Sequence, residues 1–144
     1  MMTASKTNPI INGTTLEQWP SAKGHVTIPD GITEIGDNAF NGCTKLTGVT
    51  IPNSVTRIGE RAFYKCTGLT GLVIPDSVEE IDDEAFYGCT GVTSVVLPCV
   101  DTLGFGSFFG CRGVTSHNIP KSVLAFAMTG VNSASLYDEL SKQR

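Results

Sequence analysis

Cysteines stand at Cys43, Cys66, Cys89 and Cys111, separated by 23, 23 and 22 residues, with Cys99 outside that series. Regularly spaced thiols could bind a metal, close disulfides, or act as small apolar side chains in a core. Zinc ribbons need cysteines paired two to four residues apart, and this chain lacks such pairs. Disulfides stay open, because adjacent rungs of a stacked repeat lie about 4.8 Å apart, within the Cα range a bridge tolerates. Free cysteine is among the most buried residue types, so the reading favours reduced thiols in a core ladder, with Cys99 the reactive one.

Other chemistry has little to use. The histidines are His25 and His117, near opposite ends of the chain, too far apart in sequence to build a Ser–His–Asp or Cys–His site between them. Gly104-Phe-Gly106 lacks the Lys and Ser/Thr of a phosphate-binding loop. Glu79-Glu80 and Asp82-Asp83-Glu84 put five acids within six positions, read here as a solvated face, with a dock for a basic partner as the alternative. No catalytic residue, metal site or cofactor is expected.

The elements that hold these residues repeat with them. Prolines at Pro29, Pro52, Pro75, Pro98 and Pro120, and phenylalanines at Phe40, Phe63, Phe86 and Phe108, keep the same step. Three residue types sharing one period are the mark of a stacked-repeat architecture. Counting each unit from Val26, Val49, Leu72 and Val95, apolar residues recur at positions 1, 3, 7, 10, 14, 15, 18 and 21. Positions 1 and 3 alternate as in a strand with one buried face, and the proline at position 4 ends it. Positions 7–10 suit a second short extended segment, and positions 12–18, as in Glu60-Arg-Ala-Phe-Tyr-Lys-Cys66, suit one or two helical turns. One unit cannot bury its apolar set, whereas stacked units can.

Leu69-x-x-Leu72-x-Ile74 and Val92-x-x-Val95-x-Leu97 fit the opening of leucine-rich repeats. The longer pattern, from Ile51-Pro52 through Ile58-Gly59 and Ala62-Phe63 to Cys66, closely resembles the BspA-like (Treponema-type) leucine-rich repeat. The resemblance covers residues 26 to 120. It implies a right-handed, curved leucine-rich-repeat solenoid of short parallel β-strands, with a concave sheet, a binding role and no catalytic residues. The fourth unit departs by one missing residue between Pro98 and Phe108, with Cys99 at the Asp30, Asn53 and Asp76 position. In the fifth, His117 takes an apolar place, and the pattern dissolves after Val123.

An open solenoid needs caps. The chain therefore divides into an N-terminal cap at 1–25, four repeats with the start of a degenerate fifth at 26–120, and a C-terminal cap at 121–144. Ile10, Ile11, Leu16 and Trp19 suit the first cap, and residues 135–143 open like a capping-box helix.

Two surfaces are candidates for binding. The strand face carries Thr47, Thr50, Thr70, Val73, Thr93 and Val96, small uncharged side chains suited to protein contact. Tyr64, Tyr87 and Phe109 at position 16 form an aromatic docking column, or simply cover an edge of the solenoid. With 144 residues, 17% of them charged, and a net charge of −4, the composition supplies one domain core and no basic stripe for nucleic acid. No apolar run approaches the ~18 residues of a membrane span. Residues 1–19 carry no apolar run of a secretory signal, so an intracellular, reducing location is favoured unless the chain is a fragment. The leading expectation is a non-catalytic protein-binding module using its concave sheet. A structural or linker subunit of a larger assembly, and a surface adhesin, are the alternatives.

Overall fold

A computed structural model describes residues 8–98 and 100–112. Cys99, His117 and the expected C-terminal cap lie outside the described residues. Two strands open the structure: β1 (Ile10–Asn12) pairs antiparallel with β2 (Thr15–Gln18). Thereafter each coil contributes a strand that includes the residue before position 1 and ends at position 2, and a shorter one around positions 9–10. The first kind are β3 (Gly24–Thr27), β5 (Leu46–Thr50), β7 (Gly71–Val73) and β9 (Ser94–Val96). The second kind are β4 (Glu34–Ile35), β6 (Arg57–Ile58), β8 (Glu80–Ile81) and β10 (Thr102–Leu103). The result is a β-solenoid of about four turns.

The short strands, rather than the longer ones, make the continuous sheet. Its order is β1-β2-β4-β6-β8-β10, parallel from β2 onward, with Ile35, Ile58, Ile81 and Leu103 in register. The opposite strands form two separate parallel pairs, β3-β5 and β7-β9. Between β5 and β7 the ladder is interrupted, and the Thr70 amide donates to the Thr47 carbonyl at 3.3 Å. The single sheet implied for this face is therefore two pieces.

Positions 12–18 hold no helix; among the described residues there is none. The backbone explains why. Asn38, Arg61, Glu84 and Gly106 at position 13 have φ of 62°, 56°, 57° and 63°. Gly42, Lys65, Gly88 and Gly110 at position 17 repeat the left-handed conformation, with φ from 57° to 85°. A right-handed helix cannot pass through these residues. Amides in this stretch instead alternate between two partners. Ala39, Asn41 and Cys43 donate three residues back, to Gly36, Asn38 and Phe40, as in successive turns. Asn38, Phe40 and Gly42 donate across the stack to Glu60, Ala62 and Tyr64 at 2.9, 2.6 and 2.7 Å. Residues 61–65 and 84–88 repeat the arrangement toward the next coil.

The core is built from columns. Phe40, Phe63, Phe86 and Phe108 are fully buried and stack nearly parallel, with centroids 4.7, 5.0 and 5.2 Å apart. Trp19 closes the N-terminal end at 5.9 Å from Phe40, tilted by 34°. Ala39, Ala62 and Ala85 leave room beside the rings, and Ile28, Ile51 and Ile74 line the base of the longer strands. Cys66, Cys89 and Cys111 donate their thiols to the carbonyls of Phe40, Phe63 and Phe86 at 3.1, 3.0 and 3.2 Å. Each sulfur thus ties its own coil to the ring-bearing residue of the coil before.

On the continuous sheet, position 9 places Glu34, Arg57 and Glu80 on successive coils, and the opposite charges pair. The Arg57 guanidinium donates to Glu34 and Asp82 and lies 3.4 Å from Asp37 and 3.9 Å from Glu80. Arg61 donates to Glu84 at 2.7 Å. The Glu80 carboxyl is held above its ordinary range, first by its hydrogen bond with Asp82 and then by burial.

Two outcomes follow for stability. Phe63→Ala opens a hole in the middle of the ring stack and should cost about 3–5 kcal/mol in urea unfolding, whereas Phe63→Leu should cost much less. Arg57→Gln removes the cation from four carboxylates and should cost about 1 kcal/mol at pH 7, the pair energies being reduced by solvent screening. Protonation of the carboxylates around Arg57 removes what the guanidinium attracts, so that deficit should shrink as the pH falls to about 4. A deficit that stays constant or grows on acidification would contradict this role for Arg57.

Candidate functional site

The strand face is shaped by three columns running across the coils. The first holds Thr47, Thr70 and Thr93, and the third holds Thr27, Thr50, Val73 and Val96, all exposed. Between them, in line, lie His25, Gly48, Gly71 and Ser94, aligned by the pairings His25–Gly48 and Gly71–Ser94. Alternation along each strand sends the flanking residues outward while Val26, Val49, Leu72 and Val95 enter the core. Five of the six face residues expected from the sequence (Thr47, Thr50, Thr70, Val73 and Val96) line one groove of 650 Å³. Thr93 is exposed on the same face but lies outside that lining.

Polarity changes along the groove. At the N-terminal end the His25 Nε2 and Thr50 Oγ1 share a hydrogen bond at 2.6 Å. The imidazole covers Gly48 so closely that a Cβ there would lie 2.6 Å from its Nδ1. Toward the other end Val73 and Val96, direct neighbours in register, are 61% and 59% exposed. Sequence reasoning assigned His25 to the cap and missed its place here. The signal was available in the spacing, since His25, Gly48, Gly71 and Ser94 follow the repeat period.

The second candidate also assembles as a column. Tyr64 stacks on Tyr87 at 4.9 Å, and Tyr87 on Phe109 at 4.7 Å, all three half-buried. Arg61 and Lys65 each approach the Tyr64 ring at 5.4 Å. Because the ring faces are turned toward one another, the column offers mainly its edges to a partner. Asn41 ends it, its side-chain amide donating to Asn38 at 2.7 Å.

The chemistry of the thiols follows from burial. Hydrogen bonding to Cys89 and burial push the Cys66 thiol far up, and the bond to Cys111 does the same for Cys89. Burial also raises Cys43, which is half-exposed. Thiols held protonated are poor nucleophiles and poor metal ligands at neutral pH. Among the described residues no group of three or more His, Cys, Asp or Glu is arranged to hold a metal ion. No helix of those residues is long and apolar enough to cross a membrane.

Known proteins fit this geometry. The BspA-type leucine-rich repeat region, in six copies, matches residues 20–133. No curated protein matches the chain. A leucine-rich repeat protein from Eubacterium ventriosum is similar in structure, with a TM-score of 0.64 and 28% identity over 72% of this chain and 29% of that one. The pneumococcal vaccine antigen PcpA has a TM-score of 0.67 and 25% identity, covering 72% of this chain and 26% of its own. A leucine-rich repeat protein from Bacteroides capillosus, 24% identical, shares the fold with a TM-score of 0.58 over 81% of this chain and 83% of that one. The chain spans less than a third of the length of the first two of these proteins. With the family pattern matching most of its length and the solenoid built coil by coil on that pattern, the chain belongs to the BspA-type leucine-rich-repeat family.

Proposed function

We propose that the protein is a non-catalytic protein-binding module that uses the β3, β5, β7 and β9 face. Leucine-rich repeats serve generally as protein-interaction modules. The observation that carries the reading is the exposed Val73–Val96 pair in a groove whose lining also includes Thr47, Thr50 and Thr70. Two adjacent valines each about 60% exposed are an apolar surface that a partner can cover. Right-handed winding, in keeping with parallel crossover connections generally, and curvature toward this face complete the proposed architecture. Caps at 1–25 and 121–144 belong to the same proposal.

A second reading rests on the stacked Tyr64–Tyr87–Phe109 column. It would serve a small structural or linker subunit held permanently in a larger assembly. Adhesion at a cell surface draws support from the similarity to a pneumococcal vaccine antigen. The buried thiols, each donating to a carbonyl, support a reducing, intracellular setting instead.

Replacing Thr50 and Val73 together by Arg tests the face, since both side chains point outward. Affinity capture with the wild type should retain stoichiometric protein partners that the double variant loses, while both unfold at the same urea concentration. Partners retained by the variant would move the site to the aromatic column.

A further inference from the structure

The groove on the strand face has a more definite chemistry than its composition suggests, because the hydroxyls of two of its lining threonines, Thr50 and Thr70, are engaged within the protein. Thr70 Oγ1 donates to the Thr47 carbonyl at 3.4 Å, and beyond the groove Thr93 Oγ1 repeats the bond to the Thr70 carbonyl at the same distance. Thr50 Oγ1 is bonded to His25. A hydroxyl bonded to a carbonyl of the preceding coil is less free to bond a ligand, so Thr70 opposes an apolar ligand less than its composition implies. Val73 and Val96 form the other wall.

The floor is open at one place. His25 fills the space above Gly48, whereas a Cβ at Gly71 would meet nothing closer than Ser94 Oγ at 3.7 Å. A ligand side chain can therefore descend over Gly71 between the Thr70 and Val73 walls. The charged or titratable groups lining the groove are His25 at one end and Asp76 on the rim past Pro75. Asp76 is exposed, and no cationic Lys or Arg side chain lines the groove beside it.

From these features we infer that the groove takes an extended peptide segment of a basic protein. An aliphatic side chain sits over Gly71 against Val73 and Val96, and a nearby Lys or Arg meets Asp76. The inference rests on the strand face being the binding surface and specifies what that face binds. The net charge of −4 adds a long-range attraction for a cationic partner, which raises encounter rates most at low salt.

Fluorescence anisotropy on the full chain tests it with labelled Gly/Ser peptides carrying Ile-Ser-Lys, Ile-Ser-Glu or Ser-Ser-Lys. The Ile-Ser-Lys peptide should bind best. Loss of the isoleucine should weaken binding about tenfold, the worth of a buried aliphatic side chain. Exchange of Lys for Glu should weaken it about fivefold, the upper range for an exposed pair. Asp76→Asn should erase the preference for Lys over Glu and leave the isoleucine effect, while Val73→Ser/Val96→Ser should do the reverse. Equal binding of the Lys and Glu peptides, or no binding of Ile-Ser-Lys, overturns the inference. So does a self-associated dimer that Val73→Ser/Val96→Ser dissolves, which would make a second copy the occupant. If the Thr50→Arg/Val73→Arg variant loses native partners while these peptides fail, the face remains the binding surface and its assignment to basic, aliphatic segments falls.

Discussion

The rise from one coil to the next governs this structure. Backbone hydrogen bonds between parallel strands fix a separation of about 4.8 Å, and the Phe rings stack at 4.7 to 5.2 Å. The two spacings coincide, so one geometry satisfies the polar backbone and the apolar core together. Every other column inherits it. Alanines beside the rings, isoleucines under the strands and thiols reaching back to the preceding carbonyl all repeat at this step. Half-buried groups follow as well, which is why Tyr64, Tyr87 and Phe109 stack although they lie outside the buried core.

The corners show how the backbone meets that rise without a helix. A helix would direct each amide along its own axis and leave the neighbouring coil without donors. Left-handed residues at two places per coil turn alternate amides outward, and these join the adjacent coil. The cost falls on Asn38, Arg61, Lys65 and Glu84, which occupy a conformation that suits glycine. Corner amides donate toward the following coil, whereas Gly59 and Gly104 on the continuous sheet donate to Ile35 and Ile81 of the coil before. The amides on the two sides of each coil thus donate toward opposite neighbours.

Much of this was legible in the residues because burial repeats with the period. The Phe and Cys series marked the core columns, and the 23-residue spacing of Glu34, Arg57 and Glu80 is the sequence trace of the charge ladder that the structure contains. The corners were misread as helical because Ala62-Phe63 beside charged residues has helical composition. Glycine at 42, 88 and 110 carried the contrary signal, weakened by Lys65 in the same place. The division of the strand face into two pairs had no sequence signature, since β5 and β7 have equivalent patterns. At the candidate site the valines and threonines could be read from strand alternation. The engagement of Thr50 by His25, and of the threonine hydroxyls by carbonyls, depends on distances across coils that spacing does not supply.

The Arg57 cluster also makes the coils distinguishable. Their backbones are nearly interchangeable, and a solenoid of identical units could slip by a whole coil or accept units in any order. Arg57 stands between Glu34 and Glu80, so its coil has acidic neighbours on both sides. Exchanging that coil with either neighbour would bring Glu34 and Glu80 side by side and leave like charges in adjacent rungs. A single guanidinium therefore works as an address label, specifying which unit stands second in an otherwise uniform stack.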